Sequence, residues 1–503
     1  MIKIAFIGAG SVEFTRNVLS DLLTSPDLGP LAISLHDIDG ERLETAAKMA
    51  RWIAARTGAV VRIEAHLERR AALDGADYVI NEIQVGGYRA TRLDFDVPAR
   101  YGLRQTIADT IGIGGIFRGL RTIPVVVGIA DDVAEVCPRA LLLNYTNPMA
   151  MLPWAIQLGS GFQRVVGLCE SVRDTQRFLA GLVEVPVDQI RFVTAGVNHQ
   201  AFVLTFQHQG QDLYPRLDEA IERDPELRRR VRVELYRRFG YFPTESSEHS
   251  AEYLPWFLRH DELIERFRIP VGEYLRRSED NLDEHADLKG RLDSGKGFEI
   301  EPTHELAWEV IHSIETGTER IVHGNVRNSG LIENLPAGSC VEVPCLVDRA
   351  GVQPLPVGAL PPQLAAGEPL EVLREGELAP RYIHAMATGT ERIEYGNVRN
   401  DGLIDNLPAG CCVEVPCRID ADGVRPIAVG ALPPQCAALN RTMVNVADLT
   451  VQAVLEGRRD HVYQAAMLDP NTGATLTPDQ IVALCDELIE AHGDLMPEGI
   501  RKS

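Results

Sequence analysis

The chain begins with a short apolar run, IKIAFI, which is followed by apolar residues at helical spacing. Phe14, Val18, Leu19, Leu22 and Leu23 recur along one face of a predicted helix. A second apolar run, LAISLH, comes next and ends in acidic residues. This order of strand, glycine turn, helix and strand predicts the first βαβ unit of an α/β fold with a doubly wound, Rossmann-type parallel sheet.

Four more strand-like runs occur at α/β intervals: ADYVINE, ALLLNYTNP, RVVGLC and IRFVTAGVNH. Ligands in open α/β sheets bind at the carboxyl ends of strands, so the polar residues at these ends are expected in one crevice. They are Asn81, Asn144, Asn147, Cys169 and His199. A thiolate and an imidazole there would suit a divalent transition metal, with packing as the alternative for each.

The first strand ends in the segment GAGSVEF, which favours a dinucleotide site. Gly8 and Gly10 would let the backbone approach a pyrophosphate, and Ser11 and Val12 open the helix whose N–H groups face its charge. Glu13 stands where a third glycine is expected, so the prediction depends on the flanking strand and helix.

An acidic residue after the second strand strengthens this prediction. Asp37 lies 27 residues after Gly10, close to where a ribose-binding carboxylate is expected, and Asp39 is the second candidate. Asn81 and Asn144, at the next strand ends, complete the predicted cofactor-binding set.

Composition narrows the function classes. The 503 residues carry a net charge of −22, which repels a phosphate backbone, so no nucleic-acid partner is expected. No apolar run approaches the roughly 18 residues that span a bilayer, and no signal peptide is evident. We therefore expect a cytoplasmic protein without a membrane partner. Nine cysteines are too sparse for a disulfide scaffold and are expected to be reduced.

One segment of the chain occurs twice. Residues 305–363 align with residues 377–435 at a fixed offset of 72, with 41 identical pairs among 59 positions. Two units are too few for a solenoid, so this is a duplication. The second copy continues into the C-terminal helices, so its strands are expected in the ordinary place and those of the first copy in an appended lobe. The opposite assignment, and exchange of strands between protomers, remain alternatives.

Several motifs together resemble the family 4 glycoside hydrolases, most closely their α-galactosidase branch. They are GAGSVEFTR, DTIGIGGIFRGLRTIP, NYTNPMAM, GLCESV, GVNHQAF, RRFGYFPTESSEHSAEYLPWF and PPQCAALNRT. The resemblance implies an NAD-binding Rossmann-like domain, placed at 1–195, and a mixed α/β substrate and metal domain, placed at 196–503. It also implies tightly bound NAD, a divalent metal that is usually Mn²⁺, and a homodimer or homotetramer.

The family's chemistry explains a redox fold in a hydrolase. The resemblance implies oxidation at sugar C3 by NAD, removal of the C2 proton, elimination of the aglycone, addition of water and return of the hydride. This route differs from the paired-carboxylate mechanism of most glycosidases.

The resemblance also implies roles for individual residues. Cys169 and His199 fall on the metal-ligand positions. Asn147 matches an asparagine that contacts sugar hydroxyls. Asp109 matches an acidic residue ahead of a glycine loop and is taken as catalytic. Arg118 is expected to orient substrate or pair with a carboxylate.

The acid and base are assigned by position. Glu170, next to the metal cysteine, is the predicted acid, although α-galactosidase relatives usually have histidine there. Tyr241 is the predicted base, because related enzymes use a tyrosine whose pKa falls near a metal. Glu245, His249 and Tyr253 are the competitors, and His249 is also a predicted substrate contact.

Three classes of function remain open. The favoured one is an α-galactosidase for substrates such as melibiose, with α-glucosides, α-glucuronides and α-galacturonides as other substrates. The second is an NAD-dependent dehydrogenase of a hydroxy acid or polyol, and the third a non-catalytic nucleotide-binding protein.

Overall fold

The computed structural model describes residues 1–24, 28–300, 319–327, 339–348, 351–354, 378–388 and 391–502. The α-helices in these ranges are α1 (Val12–Leu23), α2 (Gly40–Thr57), α3 (Arg69–Leu73), α4 (Gly87–Arg100), α5 (Gly112–Val136), α6 (Leu152–Gly159), α7 (Ser171–Val183), α8 (Tyr214–Arg223), α9 (Val231–Phe239), α10 (Ser247–Glu252), α11 (Asp261–Phe267), α12 (Glu273–Asp293), α13 (Ala379–Thr388), α14 (Pro434–Glu456), α15 (Arg459–Leu468), α16 (Pro470–Thr475), α17 (Pro478–His492) and α18 (Glu498–Lys502). The strands are β1 (Ile2–Ile7), β2 (Leu31–His36), β3 (Val61–His66), β4 (Tyr78–Asn81), β5 (Leu141–Asn144), β6 (Val165–Gly167), β7 (Ile190–Ala195), β8 (Phe202–His208), β9 (Gln211–Asp212), β10 (Phe242–Pro243), β11 (Arg320–Arg327), β12 (Ser339–Asp348), β13 (Gly351–Pro354), β14 (Arg392–Asn400), β15 (Cys412–Asp420) and β16 (Gly423–Pro426).

The N-terminal half forms the predicted doubly wound sheet. Strands β3, β2, β1, β4, β5 and β6 lie in that order and are all parallel. Strand β1 pairs with both β2 and β4, so the strand order reverses beside it. A crevice forms at such a reversal, at the carboxyl ends of the strands. The fold class expected from the sequence is therefore confirmed.

Strand β7 does not join this parallel sheet. It pairs antiparallel with β8 in a separate sheet that also contains β9 and β10. Only six residues separate β7 from β8, between Ala195 and Phe202, which is too short for a parallel crossover. The expectation that His199 follows a strand of the parallel sheet is therefore wrong, although the loop after β7 still reaches the crevice.

Helix α5 passes through the centre of the protein. Its length and mean hydropathy would suit a membrane span, contrary to the expectation of no such apolar segment, but 78% of its most apolar 18-residue window is buried inside the protein. The buried Arg121 on this helix makes a bidentate ion pair with Asp94 of α4, and Asp94 also accepts from His492 of α17. Three helices thus share one buried polar centre.

The two copies of the duplicated segment form hairpins with the same register. In the first copy Arg320 pairs with Val347, and in the second Arg392 pairs with Ile419, both shifted by 72 residues. Strand β14 of the second copy pairs with β6 at Asn397, and strand β11 of the first copy lies parallel to β14. The second copy therefore borders the parallel sheet. The predicted first-copy helix and the linker between the copies lie outside the described residues.

Candidate active site

The crevice at the end of β1 fits a dinucleotide. Gly8 has φ +92°, and a Cβ there would lie 2.9 Å from the backbone nitrogen of Ile83. A Cβ at Gly10 would lie 2.6 Å from Asp37 Oδ2, to which the Gly10 N–H donates at 2.8 Å. Ser11 precedes α1 and makes no side-chain cap, so the first N–H groups of the helix can face an anion. The backbone space and the carboxylate are those that a pyrophosphate and a ribose require.

A buried carboxyl group supports this turn from below. The Thr15 hydroxyl contacts both the Ala9 carbonyl oxygen, at 2.9 Å, and Glu82 Oε1. A hydroxyl has one proton to donate. Both contacts are hydrogen bonds if Glu82 is protonated and donates to Thr15, while Thr15 donates to Ala9. Burial raises the pKa of Glu82 well above its usual value, and the negative charge of Asp37 acts in the same direction.

This arrangement predicts a pH dependence of NAD binding. The folded pKa of Glu82 lies above its unfolded value, so its stabilising contribution is complete below the unfolded pKa and is lost, by about 1.4 kcal/mol per pH unit, as the pH rises from the unfolded towards the folded pKa. We expect NAD affinity, measured by calorimetry, to fall at alkaline pH. The variant Glu82→Gln keeps a neutral donor and should not show this fall. An equal fall in the variant would place the titrating group elsewhere.

The asparagines after β4 and β5 shape the middle of the crevice. Asn81 Nδ2 donates to Asn144 Oδ1 at 2.7 Å, and Asn144 Nδ2 donates to the Thr146 carbonyl oxygen at 2.9 Å. Both side chains are buried. Asn147 precedes the cis proline Pro148, and its Nδ2 donates to Asp109 Oδ2 at 2.9 Å. The structure thus brings the predicted asparagines and Asp109 to one edge of the sheet.

A set of potential metal ligands meets at the end of β6. Cys169 Sγ and Glu245 Oε2 both lie 3.3 Å from His199 Nε2. His199 and Glu245 have φ values of +67° and +72°, which residues with a side chain rarely adopt. Their backbones are held in an unfavourable conformation at the place where their side chains converge.

Proton counting shows which nitrogen of His199 is free. Thr110 Oγ1 donates to Asp109 Oδ1 at 2.8 Å, because a carboxylate can only accept. The same oxygen lies 2.7 Å from His199 Nδ1, so it must accept the proton of that nitrogen. The lone pair of His199 Nε2 then faces Cys169 and Glu245. Sulfur, imidazole nitrogen and carboxylate oxygen are suitable ligands for a divalent transition metal, so these residues fit one.

A second group of possible ligands shares His199. It consists of Asp109, His199 and His249. His249 lies between two carboxylates, with Nε2 3.5 Å from Asp109 Oδ1 and Nδ1 3.3 Å from Glu245 Oε1. Burial lowers the pKa of His249, but Glu245 and Asp109 outweigh it and raise this pKa well above its usual value. Burial likewise opposes ionisation of Asp109, whose pKa His249, His199 and Arg118 hold far below its usual range.

The loop that carries Asp109 is held by its surroundings. A Cβ at Gly114 would lie 2.6 Å from the Ala108 side chain, and one at Gly115 would lie 2.7 Å from the Thr110 backbone. These two glycines therefore let the start of α5 lie close to this loop. The buried Glu252 carboxylate accepts from the backbone N–H groups of residues 106–108 at 2.8 to 3.2 Å.

The predicted acid and base lie in different surroundings. Glu170 directly precedes α7, and its Oε2 lies 3.8 Å from Arg173 Nη1. Tyr241 packs edge-on against Tyr214, and burial raises its pKa. Cys169, His199 and Glu245 are called the ligand cluster below. The tyrosine that contacts this ligand cluster is Tyr253, whose Oη lies 3.3 Å from His199 Nδ1, and burial raises the pKa of Tyr253 as well.

Arg118 and Glu414 complete the surroundings of the cluster. Arg118 Nε donates to the Asn147 carbonyl oxygen at 3.2 Å, and its Nη1 donates to Tyr274 Oη at 3.0 Å. Glu414 of the second copy is buried and accepts from Asn198 Nδ2 at 3.0 Å. Thr110, Asn198 and Glu414 were not predicted from the sequence. The first two could have been suspected because they are the chain neighbours of Asp109 and His199.

Both halves of the chain match the models of one protein family. Residues 3–185 match the model described as "Family 4 glycosyl hydrolase". Residues 194–368 and 365–472 both match the C-terminal domain of the same family, in agreement with the duplication. The chain belongs to the family 4 glycosyl hydrolases.

The relatives of this family 4 enzyme include two α-galactosidases. That of Bacillus subtilis (strain 168) is 38% identical over 99% of this chain and 100% of its own length. That of Rhizobium meliloti (strain 1021) is 30% identical over 99% of this chain and 89% of its own. A solved structure of a 6-phospho-α-glucosidase from gut microorganisms, in complex with NAD and Mn²⁺, has a TM-score of 0.70 and 16% identity, with 99% of each chain covered. At 16% identity, the similarity to this solved structure shows a shared fold.

Proposed function

We propose that this family 4 enzyme releases terminal α-galactose from small α-galactosides such as melibiose, with NAD and a divalent metal, favoured as Mn²⁺. The two α-galactosidases that match nearly the whole chain support the choice of sugar. The observation that carries the proposal is the convergence of Cys169, His199 and Glu245 at the crevice of a dinucleotide fold. A hydrolase that uses paired carboxylates alone has no need of that combination.

The residues that would hold the two cofactors are distinct. Gly8, Gly10 and Asp37 would hold NAD, and Cys169 and His199, joined by Glu245, would hold the metal. When bound, NAD supplies a reversible hydride acceptor and the metal supplies Lewis acidity.

The other residues bind sugar or hold protons. Arg118 donates to the backbone carbonyl oxygen of Asn147, and the side-chain amide of Asn147 donates to Asp109. These two hydrogen bonds hold the Asn147 side chain in one orientation, in which it can contact sugar hydroxyls. Glu170, directly after Cys169, is assigned to hold the proton for the leaving oxygen. His249, which Asp109 and Glu245 keep protonated, would donate a proton from its ring to the substrate.

The function is tested with p-nitrophenyl α-galactoside and reduced protein. Release of p-nitrophenol should require NAD and Mn²⁺ together and stop when either is omitted. The corresponding α-glucoside, α-glucuronide and α-galacturonide should react more slowly. Accumulation of NADH with a polyol or hydroxy acid, without release of p-nitrophenol, would favour the dehydrogenase.

Two variants separate His249, as the group that donates a proton, from Tyr241, as the predicted base. We expect His249→Asn to lower kcat about a hundredfold, which is the lower range for loss of a proton-transfer group. Tyr241→Phe should change kcat by less than about threefold, because Tyr241 packs against Tyr214. Steady-state kinetics with saturating NAD and Mn²⁺ measure both. The reverse result would support Tyr241, the base expected from the sequence.

We also propose a cytoplasmic homodimer or homotetramer. A reducing compartment suits the site because metal binding requires Cys169 as a free thiolate. Light scattering of purified protein determines the oligomeric state.

A further inference from the structure

One buried carboxyl group of the second copy joins the two segments that carry Cys169 and His199. Glu414 lies in β15 and has no exposed surface. Its Oε1 accepts hydrogen bonds from Asn198 Nδ2 at 3.0 Å and from Asn397 Nδ2 at 3.2 Å. Both asparagines are fully buried as well. Loss of this carboxyl group would therefore leave two buried amide donors unpaired, which is costly.

The first of these bonds leads to His199. Asn198 directly precedes His199, whose φ of +67° is rarely adopted by a residue with a side chain. The backbones of Gly196 and Glu414 also exchange two hydrogen bonds, three residues before His199. An unfavourable backbone conformation persists only where its surroundings hold it. Glu414 therefore holds the loop of His199 through both its side chain and its backbone.

The second bond leads to Cys169. Asn397 pairs with Gly167 of β6, two residues before Cys169, where the second copy borders the parallel sheet. A Cβ at Gly167 would lie 3.0 Å from Asn397 Cβ, so the two strands are in close contact at this point. A shift of Asn397 would therefore displace the end of β6, from which Cys169 follows.

We propose that Glu414 is a positioning residue for the metal site. By holding Asn198 and Asn397 on one oxygen atom, it fixes the separation of Cys169 Sγ and His199 Nε2, which is 3.3 Å. The inference rests on the proposed function, in which these two atoms are metal ligands. It gives the second copy of the duplicated segment a part in metal binding.

The duplication supplies the matched control. Glu342 of the first copy lies opposite Asn325 in the same register as Glu414 lies opposite Asn397. We expect Glu414→Leu to weaken Mn²⁺ binding about 10- to 100-fold, the range for loss of a group that supports a metal ligand. Glu414→Gln should stay within about threefold, because its amide oxygen can accept both bonds. Glu342→Leu should leave the affinity unchanged.

Electron paramagnetic resonance of free Mn²⁺ measures these affinities. An equal loss in Glu342→Leu, or no loss in Glu414→Leu, would overturn the inference. So would a loss in Glu414→Gln as large as that in Glu414→Leu, because the hydrogen bonds would then not be the cause.

The spectrum of bound Co²⁺ distinguishes positioning from a general loss of structure. Its visible absorption bands depend on the identity and geometry of the ligands. The bands should shift in Glu414→Leu but not in Glu414→Gln or Glu342→Leu, and NAD affinity should be the same in all of these proteins. Weaker NAD binding together with unshifted bands would mean that Glu414 only stabilises the fold.

Asn198→Ala decides the inference if Glu414→Leu does not fold. It removes only the bond towards His199, and Mn²⁺ affinity should fall about tenfold. Unchanged affinity would contradict the inference. If the unaltered protein bound no Mn²⁺, the proposed function would fail, and the crystal structure of metal-free Asn198→Ala would decide the positioning. The separation of Cys169 Sγ and His199 Nε2 should exceed 3.3 Å, and an unchanged separation would overturn the inference.

Discussion

Replacement of Cys169 by serine is expected to abolish metal-dependent hydrolysis. Cys169 Sγ lies 3.3 Å from the His199 Nε2 lone pair, and a serine hydroxyl is a much poorer ligand for a divalent transition metal than a thiolate. Mutation of a residue that only hydrogen-bonds to a metal ligand already lowers the affinity for the metal by about 10- to 100-fold. We therefore expect Mn²⁺ binding at least about a hundredfold weaker, with kcat lower by about a thousandfold or more.

The measurement follows free Mn²⁺ by electron paramagnetic resonance as protein is titrated. Cys137→Ser is the matched control, because Cys137 is a buried free thiol at the end of α5. NAD affinity should be unchanged in both variants, which would show that the fold is intact. If Cys169→Ser binds Mn²⁺ as tightly as the unaltered protein, the ligands are instead Asp109, His199 and His249.

The parallel sheet could be predicted because its signals are local. Strands such as β1, β2 and β5 are mostly apolar and almost wholly buried, and each ends where a polar residue or glycine begins the crevice. Gly8, Gly10 and Asp37 could be placed from their spacing because a βαβ unit has a narrow range of lengths.

The ligand cluster was only partly predictable, because its members are brought together by contacts far apart in sequence. Cys169 and His199 were predicted from their places after strand-like runs and from the family resemblance. The link from His199 through Thr110 to Asp109 spans 89 residues and leaves no periodic signal. The choice between Tyr241 and Tyr253 also depends on tertiary packing, since both follow the same helix α9 within one short segment.

The duplication gives the second large expected effect, because the two copies differ at buried residues that stabilise the second copy and join it to β7. Arg381 of α13 donates to Glu394 of β14 at 2.7 Å in a buried ion pair. Tyr395 Oη accepts from the Thr194 N–H at 2.8 Å. At the offset of 72, the first copy has Glu309, Val322 and His323 at these three positions. The first copy therefore cannot form the ion pair.

Two in-frame deletions of 72 residues test which copy is needed. Deleting 305–376 leaves the second copy and joins it to the sequence that precedes the first. We expect this protein to fold and to hydrolyse the α-galactoside within about threefold of the full chain, since Arg381, Glu394 and Tyr395 remain. Thermal unfolding and the NAD- and Mn²⁺-dependent assay measure the result.

Deleting 364–435 instead leaves the first copy in front of α14. Glu309 then occupies the buried position of Arg381 and faces Val322 in place of Glu394. An unpaired buried charge costs about 3 to 5 kcal/mol, a large part of the stability of a typical domain. We expect insoluble or inactive protein. Equal activity of the two deletion proteins would show that the copies are interchangeable. Loss of activity in the first deletion alone would mean that the strands of the first copy complete the site, within one protomer or by exchange between protomers.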